Sequence, residues 1–431
     1  MEKIYIETYG CQMNEYDSEI VKAILGQAEF CFSDSPADAD IILLNTCSVR
    51  ENAVRKVRAR IHELRHQRRE DPPLIGLLGC MVTSLKEKLL DLPLDLLAGP
   101  DSYRLLPMLL QKAHQKRQPL DTLLSRTETY DDIYPVHTHG VNAWIAVMRG
   151  CDNFCSFCIV PYARGRERSR PIDSVVQECR RLAEEKFVQI TLLGQNVNSY
   201  RTNKQNFADL LVAVAQVPGI ERIRFTSPHP KDFPEELIRV VAENPRICKH
   251  IHLPLQAGDD RILQLMRRTY NQSEYLQLVD KIRKQIPQIV LTTDAIVGFP
   301  TETEAEFQQT YRVLQEVEFD SAFIFKYSPR QGTLAAKKYA DDVSEQEKTD
   351  RIVRLNALQK AVSLRKNQAH IGQIHRVLIE KAGTRKNPRD WQARNDGNKI
   401  VVLPPAPLQV GEFIDARILR ASAHSLRGEL V

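Results

Sequence analysis

The sequence lacks the features of an exported or membrane-spanning chain. No apolar run approaches the roughly 18 consecutive residues that a membrane-spanning helix requires. The first residues, MEKIYIETYGCQMNEYDSE, contain no charged segment followed by an apolar one, so we expect no secretion signal. We therefore expect a cytoplasmic protein with no membrane partner, in a compartment where free thiols and metal clusters survive.

The sequence also has little excess of charge. Its formal net charge is +5, which is too small to indicate a polyanionic partner by itself. A hydrophobic content of 42% and a charged content of 27% are typical of an ordinary globular protein. A length of 431 residues is enough for about three domains.

Three cysteines stand close together in a C-x3-C-x2-C array formed by Cys151, Cys155 and Cys158. An odd trio cannot pair off into disulfides. Zinc usually needs a fourth Cys or His nearby, and the nearest histidines, His137 and His139, precede the array. A four-iron cluster held by three thiolates leaves one iron open to a substrate or cofactor. The spacing therefore favours an iron–sulfur cluster over zinc.

The array follows a short predicted strand, Ala143–Met148, and the two together resemble the radical S-adenosylmethionine (SAM) enzymes. The longer stretch CDNFCSFCIVPYARGRERSRP is similar to the radical SAM methylthiotransferases, which insert a sulfur and then a methyl group at an unactivated C–H position. The resemblance implies that Cys151, Cys155 and Cys158 are catalytic and hold a [4Fe-4S] cluster. Its open iron would bind SAM, the co-substrate, and cleave it to a 5′-deoxyadenosyl radical.

Strands and helices alternate over the first 130 residues, and a cysteine follows each of three predicted strands closely. The strands cover Lys3–Thr8, Ala39–Asn45 and Leu74–Leu78. This alternation implies a parallel sheet with right-handed crossovers, whose ligands bind at the carboxyl ends of the strands. We therefore expect Cys11, Cys47 and Cys80 to form one constellation. The alternative is that they are merely small buried residues.

The resemblance implies a specific role for these three cysteines. Methylthiotransferases carry an N-terminal domain whose three cysteines hold a second [4Fe-4S] cluster, the implied site of the sulfur to be inserted. Cys11, Cys47 and Cys80 are therefore candidate metal ligands. Cys31, Cys179 and Cys248 have no such placement, and we interpret them as structural thiols.

From about residue 142 the strand–helix pattern repeats six times, which predicts an open or partial (βα)6 barrel. The predicted strands are Ala143–Met148, Gln189–Leu193, Arg222–Thr226, His250–Leu255, Val290–Val297 and Ser321–Tyr327. The chemistry of such a barrel lies at the carboxyl ends of its strands.

Glycines and amide side chains collect at those strand ends. Glycine allows close approach of the backbone to a ligand, and an amide can donate and accept hydrogen bonds at once. Ordinary loop chemistry is the alternative for any single residue, but together they resemble the SAM-contacting strand ends of radical SAM enzymes. The candidate cofactor-binding residues are Gly194, Gln195, Asn196, Ser227, Gln256 and Gly298.

Basic residues are concentrated in two further segments. A helix predicted at about Ala53 to Glu70 carries seven of them: Arg55, Lys56, Arg58, Arg60, Arg65, Arg68 and Arg69. In the run Arg164–Arg170, every second residue is arginine, so an extended chain would place all four on one face. Either segment could be a solvated face. The alternatives are a contact to nucleic-acid phosphates for the helix, and binding of SAM's carboxylate or a phosphate-bearing substrate for the run.

After a long helix, at about Ser344 to His370, short strands and turns predict a small antiparallel barrel. Residues 371–431 hold ten Lys and Arg against six Asp and Glu, with Trp391 offering a stacking surface among them. The segment resembles a TRAM domain, an RNA-binding barrel that ends many methylthiotransferases. A plain stabilising barrel is the alternative.

The resemblance covers the whole chain and divides it into an N-terminal methylthiotransferase domain (1–130), a radical SAM core (137–370) and a TRAM domain (371–431). The polar stretch LLSRTETYDDIYP is predicted to link the first two. The fold class is thus α/β, with an N-terminal parallel domain, a central partial (βα)6 barrel and a small C-terminal β-barrel.

Three motifs, YGCQMNEYDSE, NTCSVRENA and LLGQNVNSY, resemble the MiaB-type tRNA-modifying branch. That branch implies methylthiolation at C2 of N6-isopentenyl(dimethylallyl)adenosine at position 37, next to the anticodon. The implied partners are the tRNA anticodon stem-loop, an electron donor such as flavodoxin or ferredoxin, and a sulfur source. Alternative substrates are threonylcarbamoyl-adenosine in tRNA and an aspartate of a ribosomal protein. A non-catalytic RNA-binding protein with structural metal sites is an alternative of another class.

Overall fold

The computed structural model describes residues 1–48, 51–67, 72–137, 140–384 and 387–431. Three basic or zinc-candidate residues named above, His139, Arg68 and Arg69, lie outside these ranges, as do two basic residues of the C-terminal segment, Arg385 and Lys386. Among the described residues, no helix is both long and apolar enough to cross a membrane.

A parallel sheet of six strands forms the N-terminal part of the described chain. Its strands are β1 (Lys3–Tyr9), β2 (Cys31–Phe32), β3 (Ile41–Thr46), β4 (Leu74–Gly79), β5 (Leu96–Ala98) and β6 (Leu120–Asp121). In space they follow the order β2-β1-β3-β4-β5-β6. The three predicted strands are confirmed as β1, β3 and β4, each ending one residue later than expected. The sequence analysis missed β2, β5 and β6, which span only two or three residues each.

Helices cover both faces of this sheet. They are α1 (Gln12–Gln27), α2 (Glu51–Gln67), α3 (Cys80–Leu89) and α4 (Leu106–His114). Apolar side chains of α1 and α4 share one core with the sheet, and those of α2 and α3 share another. The α1 core also contains Ala146 and Leu193, which belong to the next part of the chain. The two parts therefore share buried apolar surface, which stabilises their association.

The central part holds six parallel strands in two groups of three. They are β7 (Asn142–Ala146), β10 (Gln189–Leu193), β13 (Arg222–Phe225), β14 (His250–His252), β15 (Val290–Val297) and β16 (Ser321–Lys326). The first group has the order β13-β10-β7 and the second β14-β15-β16. A parallel bridge between Ile223 and Ile247 joins them. The predicted partial (βα)6 barrel is therefore confirmed.

Shorter strands lie between the barrel strands in the chain. They are β8 (Met148–Arg149), β9 (Arg168–Ser169), β11 (Arg201–Thr202) and β12 (Gln205–Asn206). Strand β8 pairs antiparallel with β9. The predicted strand Ala143–Met148 is thus interrupted at Val147, because the chain leaves the barrel there to form this second ladder.

Helices connect and surround the barrel strands. They are α5 (Val160–Arg164), α6 (Ile172–Glu184), α7 (Phe207–Ala215), α8 (Glu235–Glu243), α9 (Asp260–Leu265), α10 (Gln272–Gln285), α11 (Glu304–Val317), α12 (Leu334–Lys338) and α13 (Glu345–Gln368). Helices α7, α10, α11 and α13 each begin with a capping box, in which the capping side chain and an acidic residue three positions later satisfy the first N–H groups.

The C-terminal part is a closed five-stranded barrel with the order β17-β18-β19-β21-β20. Its strands are β17 (Ile374–Ala382), β18 (Trp391–Asn395), β19 (Ile400–Leu403), β20 (Phe413–Ala421) and β21 (Leu426–Leu430). The predicted small barrel is confirmed, although one of its pairs, β19 with β21, is parallel. Strand β18 was not predicted, because its sequence WQARN is mostly polar.

Two buried arginines of β13 fix this barrel to the central part. Arg222 donates to the carbonyl oxygens of residues 394 and 376, at 2.6 and 2.8 Å. Arg224 donates to those of residues 395 and 396, at 2.8 and 2.9 Å. Lys399 of the barrel lies 2.7 Å from Asp320. The contact is polar and directional, so it sets the orientation of the barrel.

The predicted linker, residues 123–135, connects the first two parts but is packed between them. Tyr130 is fully buried, with its ring 5.7 Å from that of Tyr103. The Arg149 guanidinium lies 4.7 Å from the centre of the Tyr130 ring. Arg168 donates to the carbonyl oxygen of Ser125 at 2.7 Å. The predicted linker is therefore a packed segment, because these neighbours bind its polar and aromatic groups.

Candidate active site

The three N-terminal cysteines meet at one edge of the six-stranded sheet. The register places Tyr9 beside Thr46 and Thr46 beside Gly79, so Cys11, Cys47 and Cys80 continue from neighbouring strand ends. Gly79 adopts a positive φ of 90°, and a β-carbon there would lie 2.7 Å from the carbonyl oxygen of Thr46. Glycine is thus required for the sharp turn from β4 into Cys80.

A buried amide pair fixes the loops that carry Cys11 and Cys47. The Asn14 side chain donates to Asn45 Oδ1 and to the carbonyl oxygen of Thr46, both at 3.0 Å. In return, the Asn45 side chain donates to the Asn14 carbonyl oxygen at 2.8 Å. Cys11 Sγ lies 3.4 Å from Asn14 Oδ1. Satisfied buried networks of this kind hold a single geometry.

The electrostatic environment of this trio favours thiolate at one position. A hydrogen bond from Cys47 and the positive charge of Arg164 together outweigh the effect of burial and lower the pKa of Cys11 to about 5. Burial raises the pKa of Cys80, although Arg164 Nε lies 3.0 Å from its sulfur. Thiolate is the form of cysteine that binds metals, and the role of Cys11 as a metal ligand remains a prediction.

The second trio lies on the loop between β8 and α5. The N–H of Cys158 donates to the carbonyl oxygen of Cys155 at 3.0 Å. Arg268 Nη1 lies 3.5 Å from Cys155 Sγ, and this arginine also donates to the Pro254 carbonyl oxygen after β14. Burial raises the pKa of Cys151 and of Cys158 to about 12. These thiols would release protons on binding a metal.

A cleft of about 500 Å³ lies beside both trios, between α2, α3 and the loop after β16. Ser48 follows Cys47 and Ile159 follows Cys158, so the cleft lining includes the sequence neighbour of one cysteine from each trio. Four of its lining residues are basic: Arg55, Arg58, Lys88 and Arg330. The cleft can therefore accept an anionic molecule next to both sets of thiols.

The donor sets fit iron–sulfur clusters better than single ions. Within the described ranges, no three Cys, His, Asp or Glu side chains are already gathered to hold one metal ion. A four-iron cluster spreads its thiolates over different irons, so it accepts three more widely spaced sulfurs. His137, a possible fourth zinc ligand, is buried beside Glu19, with Nδ1 3.1 Å from Oε2. It is therefore engaged elsewhere.

Three family models match successive parts of the chain. Residues 3–99 match the uncharacterized protein family UPF0004, residues 145–314 match the radical SAM superfamily and residues 368–431 match the TRAM domain. Over its whole length the chain is 47% identical to the tRNA-2-methylthio-N(6)-dimethylallyladenosine synthase of Porphyromonas gingivalis strain W83, covering 95% of that relative. The chain belongs to the MiaB-type radical SAM methylthiotransferases.

Other relatives of this methylthiotransferase indicate the same family. A synthase with the same name from Chloroherpeton thalassium is 46% identical over 99% of the chain and 95% of the relative. The human mitochondrial tRNA methylthiotransferase CDK5RAP1 is 40% identical over the whole chain and 81% of the relative. Membership makes the protein an enzyme, and the radical SAM domain implies one [4Fe-4S] cluster and SAM.

Solved structures support the fold of the methylthiotransferase. The radical SAM methyltransferase TsrM from Kitasatospora setae aligns with a TM-score of 0.59 at 14% identity, over 78% of this chain and 77% of the other. At that identity the likeness concerns the fold alone.

The glycines predicted to contact a cofactor are packed closely against other parts of the methylthiotransferase. A β-carbon at Gly194 would lie 2.7 Å from Met148 Cγ, and one at Gly298 would lie 2.3 Å from Lys348 Cγ. Gly258, which follows β14, faces the backbone of α11 in the same way. Internal packing therefore explains these glycines, and a contact between their backbone and SAM remains a prediction.

Polar residues at the strand ends show two other signals. Gln195 Oε1 and Asn196 Oδ1 are buried and have no hydrogen-bond partner within the described protein. Ser227 and Gln256 adopt positive φ angles of 59° and 69°. Unsatisfied atoms and left-handed backbone are both costly, and they concentrate at functional sites. These four residues lie at the strand ends, and their contact with a cofactor remains a prediction.

The alternating arginines do not form the predicted basic strip. Arg164 ends α5, so the run is extended only near β9. Arg168 pairs with Asp101 at 2.9 Å and Arg170 with Glu178 at 2.6 Å, and all these side chains are buried. The idea of a shared open face was wrong, because helix α5 and the β8–β9 ladder turn the arginines toward different carboxylates.

Two residues near the sulfurs were missed as site residues. Arg268 stands in the sequence MRRTY, where nothing distinguishes it from a surface arginine. Asp17 lies in the motif YGCQMNEYDSE, which indicates the family branch but predicts no role for this residue. A buried aspartate three residues after Asn14, on the same helical face, is the one signal that could have identified it.

Proposed function

We propose that this enzyme methylthiolates C2 of N6-dimethylallyladenosine at position 37 of tRNA, next to the anticodon. The observation that carries the proposal is the basic cleft that lies beside two separate trios of thiols. The relatives at 46% and 47% identity are named for this reaction, and their likeness extends over the whole chain.

Each trio has its own role in the proposal. Cys151, Cys155 and Cys158 hold the cluster that binds SAM, while Cys11, Cys47 and Cys80 hold a second [4Fe-4S] cluster next to the methylated sulfur. When bound, the clusters and SAM supply the electron, the 5′-deoxyadenosyl radical and the sulfur that the reaction needs. The amide oxygens of Gln195 and Asn196, which have no hydrogen-bond partner within the described protein, would orient SAM by accepting hydrogen bonds.

The substrate side of the proposal rests on charge. Arg58 and Lys88 line the cleft and suit the phosphates that flank the modified nucleoside. On the C-terminal barrel, exposed arginines extend the basic surface, among them Arg417 and Arg420. Trp391 contributes less than predicted, because it is half-buried and its indole N–H donates to the Ala406 carbonyl oxygen at 3.0 Å.

The remaining partners follow from the chemistry that the family performs. An external reductant such as flavodoxin or ferredoxin would deliver the electron for SAM cleavage, and a separate source would renew the inserted sulfur. tRNA substrates and reduced electron carriers together favour a cytoplasmic location.

Nucleoside mass spectrometry tests the proposed function. Reconstituted enzyme, SAM, sulfide and a reductant are incubated with tRNA that carries dimethylallyladenosine. We expect that nucleoside to gain the mass of one methylthio group. Production of 5′-deoxyadenosine with no such gain would reject this substrate, and threonylcarbamoyl-adenosine and the ribosomal-protein aspartate would be tested next.

Iron analysis separates the enzyme from an RNA-binding protein with structural zinc. Two four-iron clusters require about eight irons per chain after anaerobic reconstitution. Zinc without iron would reject the enzymatic proposal, whichever nucleoside was offered.

A further inference from the structure

Apart from the cysteines themselves, the buried charged side chains next to the N-terminal trio carry one excess positive charge. Asp17, fully buried, accepts a hydrogen bond from Arg149 at 2.6 Å and another from Arg164 at 2.8 Å. Both guanidinium groups are themselves buried. Burial raises the pKa of the adjacent phenols of Tyr103 and Tyr130, so these stay neutral. One carboxylate thus faces two cations, which leaves one positive charge.

The neighbouring carboxylate does not supply the missing negative charge. Asp101 lies nearby, but it is paired with a third buried arginine, Arg168, at 2.9 Å. Burying an uncompensated cation is costly, so a further anionic group is expected beside Arg149 and Arg164.

Arg164 shows where that group belongs. Its Nε lies 3.0 Å from Cys80 Sγ. Its Nη1 is buried and has no hydrogen-bond partner within the described protein. The side chain thus spans the space between Asp17 and the cysteine trio, with one donor left over.

A four-iron cluster of the proposed kind has the required charge. An oxidised [4Fe-4S] core carries a charge of +2, so three thiolates leave it with about −1 overall. This equals the charge needed to neutralise the pair of arginines around Asp17. Arg164 lies in the radical SAM core, six residues after Cys158. The positive charge that offsets an N-terminal cluster would therefore come from the other domain.

We propose that Arg164 is a positioning residue that completes the N-terminal cluster site from the radical SAM core. It neutralises the cluster and donates to the Cys80 sulfur, and both effects raise the reduction potential of an iron–sulfur cluster. The inference rests on the proposed function, because it assumes a cluster at Cys11, Cys47 and Cys80.

The test is done in a Cys155→Ala background, so that iron and the spectroscopic signal report the N-terminal site alone. The parent is expected to hold about four irons per chain. Arg164→Met in this background should lower the iron content or shift the midpoint potential of the remaining cluster to a more negative value. Arg164→Lys, which keeps the charge, should restore both in part.

Arg168→Met is the matched control, because Arg168 is equally buried at the same domain boundary but does not contact a cysteine. It should leave iron content and potential as in the parent. Circular dichroism checks folding, and Arg164→Gln replaces the methionine variant if that variant unfolds. An uncharged Arg164 variant that keeps the parent's iron and potential would overturn the inference.

Failure of the proposed function gives a different result. If the Cys155→Ala parent holds no iron, and adding Cys47→Ala changes nothing, the second cluster itself is absent. That outcome rejects both proposals. If the parent holds iron and the Arg164 variant has the same iron content and midpoint potential, only the role of Arg164 is rejected.

Discussion

At the scale of single residues, Asp17 is the most strongly constrained carboxylate near the candidate site. It is fully buried and bound by Arg149 and Arg164. We expect Asp17→Asn to reduce the free energy of unfolding by about 3–5 kcal/mol, because it leaves two buried cations without a carboxylate. The urea midpoint of the apo protein measures this effect.

The exposed pair of Asp152 and Arg166 offers the matched comparison, since the Arg166 side chain is 66% exposed. Asp152→Asn removes the same chemical group from a solvated ion pair, so it should change stability by less than about 1 kcal/mol. Equal losses in the two variants would show that burial of the Asp17 network contributes nothing special.

Single cysteine substitutions separate the two trios by their products. We expect Cys155→Ala to abolish SAM cleavage, because the array then has two ligands left for its cluster. Cys47→Ala should still cleave SAM but should not methylthiolate tRNA. Chromatography of 5′-deoxyadenosine and mass spectrometry of nucleosides measure these two outcomes.

Cys179→Ala is the control for these variants, because Cys179 is buried within α6 and lies outside both trios. Both products should persist in that variant. Equal amounts of 5′-deoxyadenosine from wild type and Cys155→Ala would contradict the assignment of the radical cluster.

Glu302 gives a prediction about pH. Burial raises the pKa of Glu302 to about 7, although the Gly298 N–H and Arg351 act in the opposite direction. The folded state therefore binds this proton more tightly than the unfolded state. Its stabilising contribution is complete below about pH 4.5 and is lost as the pH rises through about 7.

Thermal unfolding of wild type and Glu302→Gln at pH 5 and pH 8 tests this. Relative to the variant, wild type should lose roughly 1–3 kcal/mol between the two values. Glu306→Gln is the control, since a hydrogen bond from Arg261 lowers the pKa of Glu306 to about 2 and it stays ionised throughout this range. If the difference in free energy of unfolding between wild type and Glu302→Gln is the same at pH 5 and pH 8, the prediction is wrong.

At the scale of secondary-structure elements, the basic residues of helix α2 fall into two groups with different surroundings. Arg60 lies 2.6 Å from Glu7, and Arg65 pairs with Asp95. Arg55 and Arg58 instead line the cleft beside the cysteines. Carboxylates of the protein thus hold Arg60 and Arg65, whereas a contact between the cleft-lining residues and nucleic-acid phosphates remains a prediction.

This division predicts different effects on tRNA binding. Arg58→Ala should weaken binding and reduce the slope of log K against log salt by about 0.7–0.9, the value for one phosphate contact. Arg60→Ala, in which the lost charge was already paired, should leave the slope unchanged. Fluorescence anisotropy with labelled tRNA at several salt concentrations measures both, and equal slopes would reject a phosphate contact at Arg58.

The elements themselves were largely predictable, and the reason is local. Buried strands such as β3 and β4 have short apolar runs that end at Thr46 and Gly79, so the cysteines after them could be placed at one sheet edge. The path of the arginine run could not be predicted in this way. Whether Arg164 and Arg168 point to solvent or to a carboxylate depends on α1 and Asp101, which lie far away in the sequence.

At the scale of the whole molecule, the family resemblance and the strand–helix pattern implied a division into three parts, but neither showed how the parts pack together. The α1 core includes Ala146 and Leu193 from the barrel, and Tyr130 fills the space between the first two parts. The contacts of the α1 core with Ala146 and Leu193 join residues more than a hundred positions apart, and no periodicity in the sequence reports them. They place α5, and with it Arg164, against the other domain's cysteines.

The C-terminal barrel is positioned by polar contacts, and these make its orientation testable. Replacing Arg222 and Arg224 together by methionine removes the four hydrogen bonds to barrel carbonyls and leaves those oxygens facing an apolar side chain. We expect β17 and β18 to exchange amide hydrogen faster and tRNA affinity to fall, while 5′-deoxyadenosine production without tRNA stays unchanged. Arg420→Met, on the exposed face of the barrel, should weaken tRNA binding without altering exchange. Unchanged exchange in the double variant would show that apolar contacts and the Lys399–Asp320 pair are sufficient to hold the barrel in place.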